Sequence, residues 1–475
     1  MPPREPSKPA PAVADAGQYT WQDVAKHNTE ESAWVIFRGP DGTGVYDITA
    51  WLDDHPGGKE MLLLCAGRDV TDMLPSYHPF SGGCVWCLVH PASLTPPAQI
   101  GTLTGPNEFQ VYRPDSGFYR TLRERVGAYF KEKNLDPKAP LPGLWRMALV
   151  FATAAWTYGI VNNAVFPGSP FFVRVLATLV FGVCQALPLL HIMHDASHTA
   201  IGHNELWWKA CGRLCLDWFA GASMVSWHHQ HVVGHHVYTN VMGSDPDLPA
   251  MKTGDPRRLV RQQVWKALYK WQHIYLPPLY GILGLRSRIV DITDTWRGTN
   301  GPVRVNWYSS PFVRLFVTKA VWATWRILVP LFVLGVPASD FWTLFFIAEF
   351  VTGYWLAFNF QVSHVSAVAD FPNDGGDSDV INDEWAISQV KTSVDYGHGD
   401  WIMTFLSGAL NYQIPHHLLP SVSQYHYPAI APIVKDVCKE FNVPYRHFDT
   451  FPQAFALHIQ HLKELGEEGK AAHID

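Results

Sequence analysis

The segment WHHQHVVGHHVYTN (227–240) places five histidines within nine positions: His228, His229, His231, His235 and His236. Other short stretches carry the same chemistry. HDASH supplies His194 and His198, FNFQVSHV supplies His364, and QIPHH supplies Gln413, His416 and His417. On an α-helix, residues four apart share a face, so His194 with His198 and His231 with His235 each predict a pair pointing one way. Neutral imidazole suits iron, copper and zinc. A zinc site is complete with three or four ligands; eight imidazoles and an amide suffice for two ions with positions left open for a reactant. A single HxxxH is commonly plain helix surface, and a pH switch needs exposed, uncoupled histidines. Three boxes, each abutting an apolar segment, point to a two-metal centre instead. Asp195, beside His194, is expected to orient a ligand imidazole by accepting its second N–H. His191, His228 and His229 are expected to pack or to face polar surface.

A second pair stands apart. DDHPGGKE and SYHPF place His55 and His78 on either side of an apolar, helix-like stretch. Pro56, Gly57 and Gly58 make a fair turn by themselves, since glycine allows a tight backbone reversal. Around them, YTWQDVAKHN reads as helix and AWVIFRG and GVYDITAWL as strands, so 18–80 is expected to be a small α+β module.

These residues need elements to hold them. The chain has 475 residues, enough for two or three domains. Only 16% are charged, against about 25% in soluble proteins, and 20 Trp, 18 Tyr and 26 Phe suggest a membrane part with aromatic belts. The net charge of −6, with no basic block, argues against a nucleic-acid partner. Seven scattered cysteines are no disulfide framework, and the N-terminal MPPREPSKPAPAVADAG has no apolar signal-like core. Four apolar stretches approach the roughly 20 residues of a span: Trp145–Phe166, Phe171–Leu190, a segment within Pro311–Val336, and Phe341–Val362. The turns PGSP and PASD lack Lys and Arg, whereas 191–310 is rich in both, which places 191–310 and both termini on the cytosolic side. Leu206–Val225 and IYLPPLYGILGL are expected to lie along the interface. Every histidine box then falls at one membrane depth.

The HPGG turn after YDITAWL, with a second histidine about two dozen residues on, resembles the cytochrome b5 family. That resemblance implies haem b held by His55 and His78 from opposite faces, an iron with no open position that passes single electrons. Taken with HxxxH, HxxxHH and QxxHH, the chain resembles the front-end fatty acyl desaturases. ALPLLHIMHDASH, GSDPDLP, AFNFQVSHVS and NYQIPHHLLPSVSQYHYP look nearest to the Δ5 members. The fold implied is multi-domain, a small α+β haem domain joined to an all-α membrane domain with four transmembrane helices and a cytosolic histidine-rich cap. The expected boundaries are a disordered tail at 1–17, the haem domain at 18–80, a linker at 81–115, the desaturase domain at 116–460 and a C-terminal tail at 461–475. The implied metal ligands are His194, His198, His231, His235, His236, His364, Gln413, His416 and His417, around two non-haem iron ions that use O2. Electrons would come from NADH through cytochrome b5 reductase. The implied substrate is a fatty acyl chain on coenzyme A or phospholipid, in the endoplasmic reticulum membrane. Δ6, Δ8 or Δ4 desaturation, fatty acyl or sphingolipid hydroxylation, and simple electron carriage are the competing readings. Residues 81–104 depart from the family, since no Lys, Arg, Asp or Glu stands where a charged helical connector is expected.

Overall fold

The computed structural model describes residues 17–39, 42–55, 57–80, 98–372 and 378–468. They form two compact units, 17–71 with 98–108, and 72–80 with 109–468.

The first unit is built on a five-stranded sheet of β1 (Gly17–Tyr19), β2 (Trp34–Gly39), β3 (Gly42–Asp47), β4 (Arg68–Asp69) and β5 (Ala98–Leu103), in the order β1-β5-β3-β2-β4. Thr20 starts the helix Trp21–Val24 through a reciprocal cap with Asp23, and Val24 packs with Ile36 and Val45 in the core. β5 corrects the expected linker at 81–115. It lies between β1 and β3, pairing Gly101 with Gly17 and Val45. An uncharged AQIGTL fits a strand hydrogen-bonded along both edges. The far end of the same stretch, Val111–Arg113, pairs instead with Val380–Glu384 of the second unit. Residues 1–16 and 81–97, with Cys84 and Cys87, lie outside the described residues; Gly17, assigned to the tail, opens β1.

Four helices of the second unit are long and apolar enough to cross a membrane: Leu141–Val161, Phe171–Ser197, Pro311–Val333 and Ala338–His364. The first stops earlier than its hydropathy suggests, because Asn162 and Asn163 turn the chain, Asn163 at a φ of 57°. The second and fourth run further than expected. His194 therefore lies within the second span, and His364 is the last residue of the fourth. Pro188 interrupts the second span and Leu189–Met193 continues as a π-helical turn, the adjustment expected where proline removes a hydrogen bond. The second span packs on the first and the fourth. Gly182 makes the latter approach possible, since a Cβ there would sit 2.7 Å from Val351. The helix Phe451–Glu468 buries Leu462 and Leu465, so the expected tail at 461–475 is helical to 468. The two shorter apolar stretches form the helices Glu205–Gly212 and Gln272–Leu279, which expose Leu206 and Ile274.

Glu349, which interrupts the fourth span, is fully buried yet paired. It accepts from Arg288 at 2.5 Å and faces Arg326 at 3.4 Å, and Arg326 lies over the Phe181 and Phe345 rings. Removing one partner of a buried pair leaves an uncompensated charge at a cost of about 3–5 kcal/mol. Glu349→Leu is therefore expected to destabilise the full-length protein in detergent by that order, read by thermal unfolding. Glu349→Gln should cost less, because the amide still accepts from Arg288.

Candidate metal centre

Four separate pieces of chain deliver the boxes. His194 follows the π turn of the second span directly, and His198 ends that helix. Residues His228–His235 wind as a π-helix, and this corrects the expected pairing of His231 with His235. A π turn brings residues five apart together. His231 and His236 accordingly approach to 3.2 Å between Nε2 atoms, while His235 is released to other partners. Gly234 lets this segment lie against Pro246, where a Cβ would come within 2.5 Å. The helix Gln413–Leu418 is held at its start by Asp395, whose Oδ1 accepts from the Ile414 N–H at 2.8 Å.

All nine predicted ligands are buried and lie together. His194, His198, His231 and His416 form one group, and His235, His364 and His417 another. His236 groups with His416 and His417, one from each set. Nε2 approaches are 3.1 Å for His194–His231, 3.1 Å for His364–His417 and 3.4 Å for His235–His364, and the Gln413 amide comes within 2.9 Å of His364 Nε2. A ring whose hydrogen sits on Nδ1 presents a bare lone pair at Nε2, and two such lone pairs repel at this distance. Ligands at about 2.1 Å from one ion stand about 3 Å apart. His198 Nε2, His416 Nε2 and Gln413 Oε1 are buried without a hydrogen-bond partner among the described residues. The residues present therefore fit a pair of cations.

The hydrogens point outward. Nδ1 donates to Asp245 from His235 (3.1 Å), to the Thr392 carbonyl from His364 (3.1 Å) and to Gln389 Oε1 from His417 (2.8 Å), while His416 Nδ1 lies 3.1 Å from the Tyr427 hydroxyl and His198 Nδ1 2.6 Å from the Tyr77 hydroxyl. Such partners fix the ring and raise its basicity as a ligand. Burial, with neighbouring imidazoles, holds His198, His231, His236, His416 and His417 well below the usual histidine range, so they are neutral donors at pH 7. Burial would also lower His235, but the Asp245 and Asp247 carboxylates outweigh it and raise the ring to about 9.

Asp195 does not touch an imidazole nitrogen as expected. Its carboxylate accepts from Ser423 Oγ at 2.9 Å and Gln424 Nε2 at 3.0 Å, which fastens the first box to the chain following the last. His191 packs by bonding the Phe405 carbonyl at 2.7 Å, and His229 is buried between Val225 and Asn306 rather than at a surface. His228 is also buried. Tyr77, Asp245, Gln389, Thr392 and Tyr427 were not singled out from spacing. Asp245, Tyr77 and Tyr427 lay within the quoted GSDPDLP, SYHPF and NYQIPHHLLPSVSQYHYP; Gln389 and Thr392 carried no signal.

In the first unit, His55 Nδ1 lies 3.4 Å from the Gly58 carbonyl, and Gly58 takes a φ of 77° that favours glycine. A Cβ on Gly57 would come within 2.6 Å of the His55 ring. Pro56 lies outside the described residues. In the second unit, His78 donates from Nδ1 to the Leu74 carbonyl at 3.0 Å. In each case a backbone carbonyl takes the Nδ1 hydrogen.

A cavity of about 320 Å³ opens onto the cluster. His194, His231, His235, His364 and Gln413 line it together with Leu189, Met193, Phe219, Trp227, Leu356 and Phe360. Its wall also includes Arg257, Arg286 and Arg288.

Comparison with known proteins follows this geometry. Residues 169–449 match the profile described as fatty acid desaturase, and residues 20–101 that of the cytochrome b5-like haem/steroid binding domain. The chain is 40% identical over 468 residues to Delta(5) fatty acid desaturase A of Dictyostelium discoideum, covering 96% of this chain and 95% of that one. It is 38% identical to an acyl-lipid (8-3)-desaturase of Mortierella alpina, covering 94% and 97%. A sn-1 linoleoyl-lipid 6-desaturase of Synechocystis is 29% identical and matches 74% of this chain and 96% of its own length. With likeness running through both units, the chain belongs to the fatty acid desaturase family and carries its own cytochrome b5-like domain.

Proposed function

We propose that the chain is a front-end Δ5 desaturase that places a cis double bond at C5 of C20 polyunsaturated acyl chains, turning dihomo-γ-linolenoyl into arachidonoyl and eicosatetraenoyl into eicosapentaenoyl. The observation that carries the chemistry is the convergence of eight buried imidazoles, four of which line a cavity together with Leu189, Met193, Trp227, Leu356 and Phe360. The position of attack is supported by the Delta(5) relative. Iron bound there supplies the use of O2 to strip two hydrogens from an unactivated methylene pair, which acid–base side chains cannot do.

The residues divide the work. His194, His198, His231 and His416 hold one ion, and His235, His364 and His417 the other, with His236 at their shared edge and the Gln413 amide beside His364. Leu189, Met193, Trp227, Leu356 and Phe360 exclude water and align the acyl chain. In the haem domain His55 and His78 would hold the haem iron, and Gly57 and Gly58 would let the backbone turn close to it. O2 accepts four electrons; the substrate yields two. The other two would be supplied singly by haem bound in this domain, with cytochrome b5 reductase and NADH as their source, and covalent linkage would keep its local concentration high. The short turns at 162–170 and 334–337 stand at the opposite span ends from His194 and His364. This supports histidine boxes at one face of the membrane; the endoplasmic reticulum, with termini and metals in the cytosol, is the reading that follows from the Lys/Arg distribution and the family resemblance.

Feeding defined C18, C20 and C22 acyl chains to a host cell expressing the protein should yield new double bonds at C5 of the C20 substrates. Products unsaturated at C6, C8 or C4 would reassign the position, and hydroxylated products the reaction. Metal analysis of the purified protein should give about two non-haem irons per chain. His231→Ala and His417→Ala should lose iron and more than tenfold of activity while haem absorbance stays intact; His55→Ala should lose the haem absorbance.

A further inference from the structure

The family profile for the haem domain runs through residues 72–80, yet these residues belong to the second unit. The helix Met73–Tyr77 ends in His78. Immediately before that histidine, the Tyr77 hydroxyl lies 2.6 Å from Nδ1 of His198, with the two rings stacked at 6.0 Å. Neighbouring contacts hold the segment there. Ser421, four residues beyond His417, donates to the Ser76 carbonyl at 3.4 Å, and Phe80 meets Phe130 edge to face at 5.7 Å. His198 Nε2 is buried in the cluster without a hydrogen-bond partner among the described residues. For Nε2 to donate its lone pair to a cation, the hydrogen must sit on Nδ1, and the phenol oxygen must accept it.

We propose that Tyr77 is a positioning residue for the ligand His198, so that a segment of the haem domain completes the non-haem metal site. The inference rests on the ligand assignment above. One peptide link and one hydrogen bond then connect His78 to His198. The acceptors also differ between the two groups of ligands. His198 and His416 lean on neutral phenols, Tyr77 and Tyr427, whereas His235, His364 and His417 lean on a carboxylate, a backbone carbonyl and an amide oxygen. Only one of these five acceptors, Tyr77, comes from the sequence matched to the haem domain.

The test uses the purified full-length protein, stripped of non-haem iron and titrated with Co(II), whose visible absorption reports its ligand field. Tyr77→Phe should weaken Co(II) at one of two sites by about tenfold or more and shift that site's absorption, with the haem absorbance at its wild-type level. Tyr427→Phe, which strips the acceptor from His416, should alter the same site. Incorporation of 3-fluorotyrosine at 77 keeps the ring and hydroxyl and weakens the oxygen as an acceptor; it should shift the same band even if Tyr77→Phe fails to fold. Wild-type Co(II) affinity and spectrum in either Tyr77 variant overturns the proposal. His198→Ala separates the two ideas. If it loses one Co(II) while the Tyr77 variants bind like wild type, the role of Tyr77 alone is wrong; if it keeps both, the ligand assignment is wrong and the proposal falls with it.

Discussion

Packing lone pairs against lone pairs is the constraint from which the rest of this molecule follows. Eight imidazoles share one buried pocket, and between His364 and His417, whose hydrogens are held at Nδ1 by oxygen acceptors, no hydrogen is available to mediate the 3.1 Å contact. Nearly everything nearby serves to keep protons on the outer nitrogens. Asp245, Gln389 and Thr392 each take one hydrogen from one ring, and the Tyr427 and Tyr77 hydroxyls face Nδ1 of two more. Burying so many polar atoms is costly unless each finds a partner, and a cation would supply the inner one.

The surrounding helices are correspondingly rigid. Two spans end on histidines, so the ligands inherit the position of helices clamped by buried charge pairs rather than of mobile loops. Arg174 fixes the opposite end of the second span, reaching the Val161 carbonyl at 2.8 Å and Asp340 at 2.6 Å. Asp195 and Asp395 then tie the boxes to one another through Ser423 and Ile414. An apolar bundle with a few paired charges is well suited to this, because each pair has one satisfying geometry and the low dielectric penalises alternatives.

The sequence carried much of this plainly. Histidine is scarce, so its clustering beside apolar spans marked nine residues that the fold does assemble, and hydropathy located four spans to within a few residues at most ends. What stayed illegible depended on geometry that spacing cannot encode. The rule that residues four apart share a face presumes α-helical winding, and His231 and His235 sit on a π-helix. The outer partners follow no fixed offset from their histidines, 10 positions for Asp245 and 121 for Tyr77, so spacing alone does not assign them. β5 was hidden for a related reason: AQIGTL lacks the branched, alternating character of a free-standing strand, and it becomes one only because β1 and β3 flank it.

The π-helical winding at 228–235 makes this box a phase-sensitive device. Each wide turn is one residue out of step with an ordinary helix, and that single residue divides consecutive imidazoles between two ions instead of stacking them on one. A one-residue deletion here would change no ligand's identity, yet it would rotate His235 and His236 by roughly 100° relative to His231. Helix length in this segment is therefore as much a part of the metal stoichiometry as the histidines themselves, and ligand counting alone would miss a family member that had lost the step.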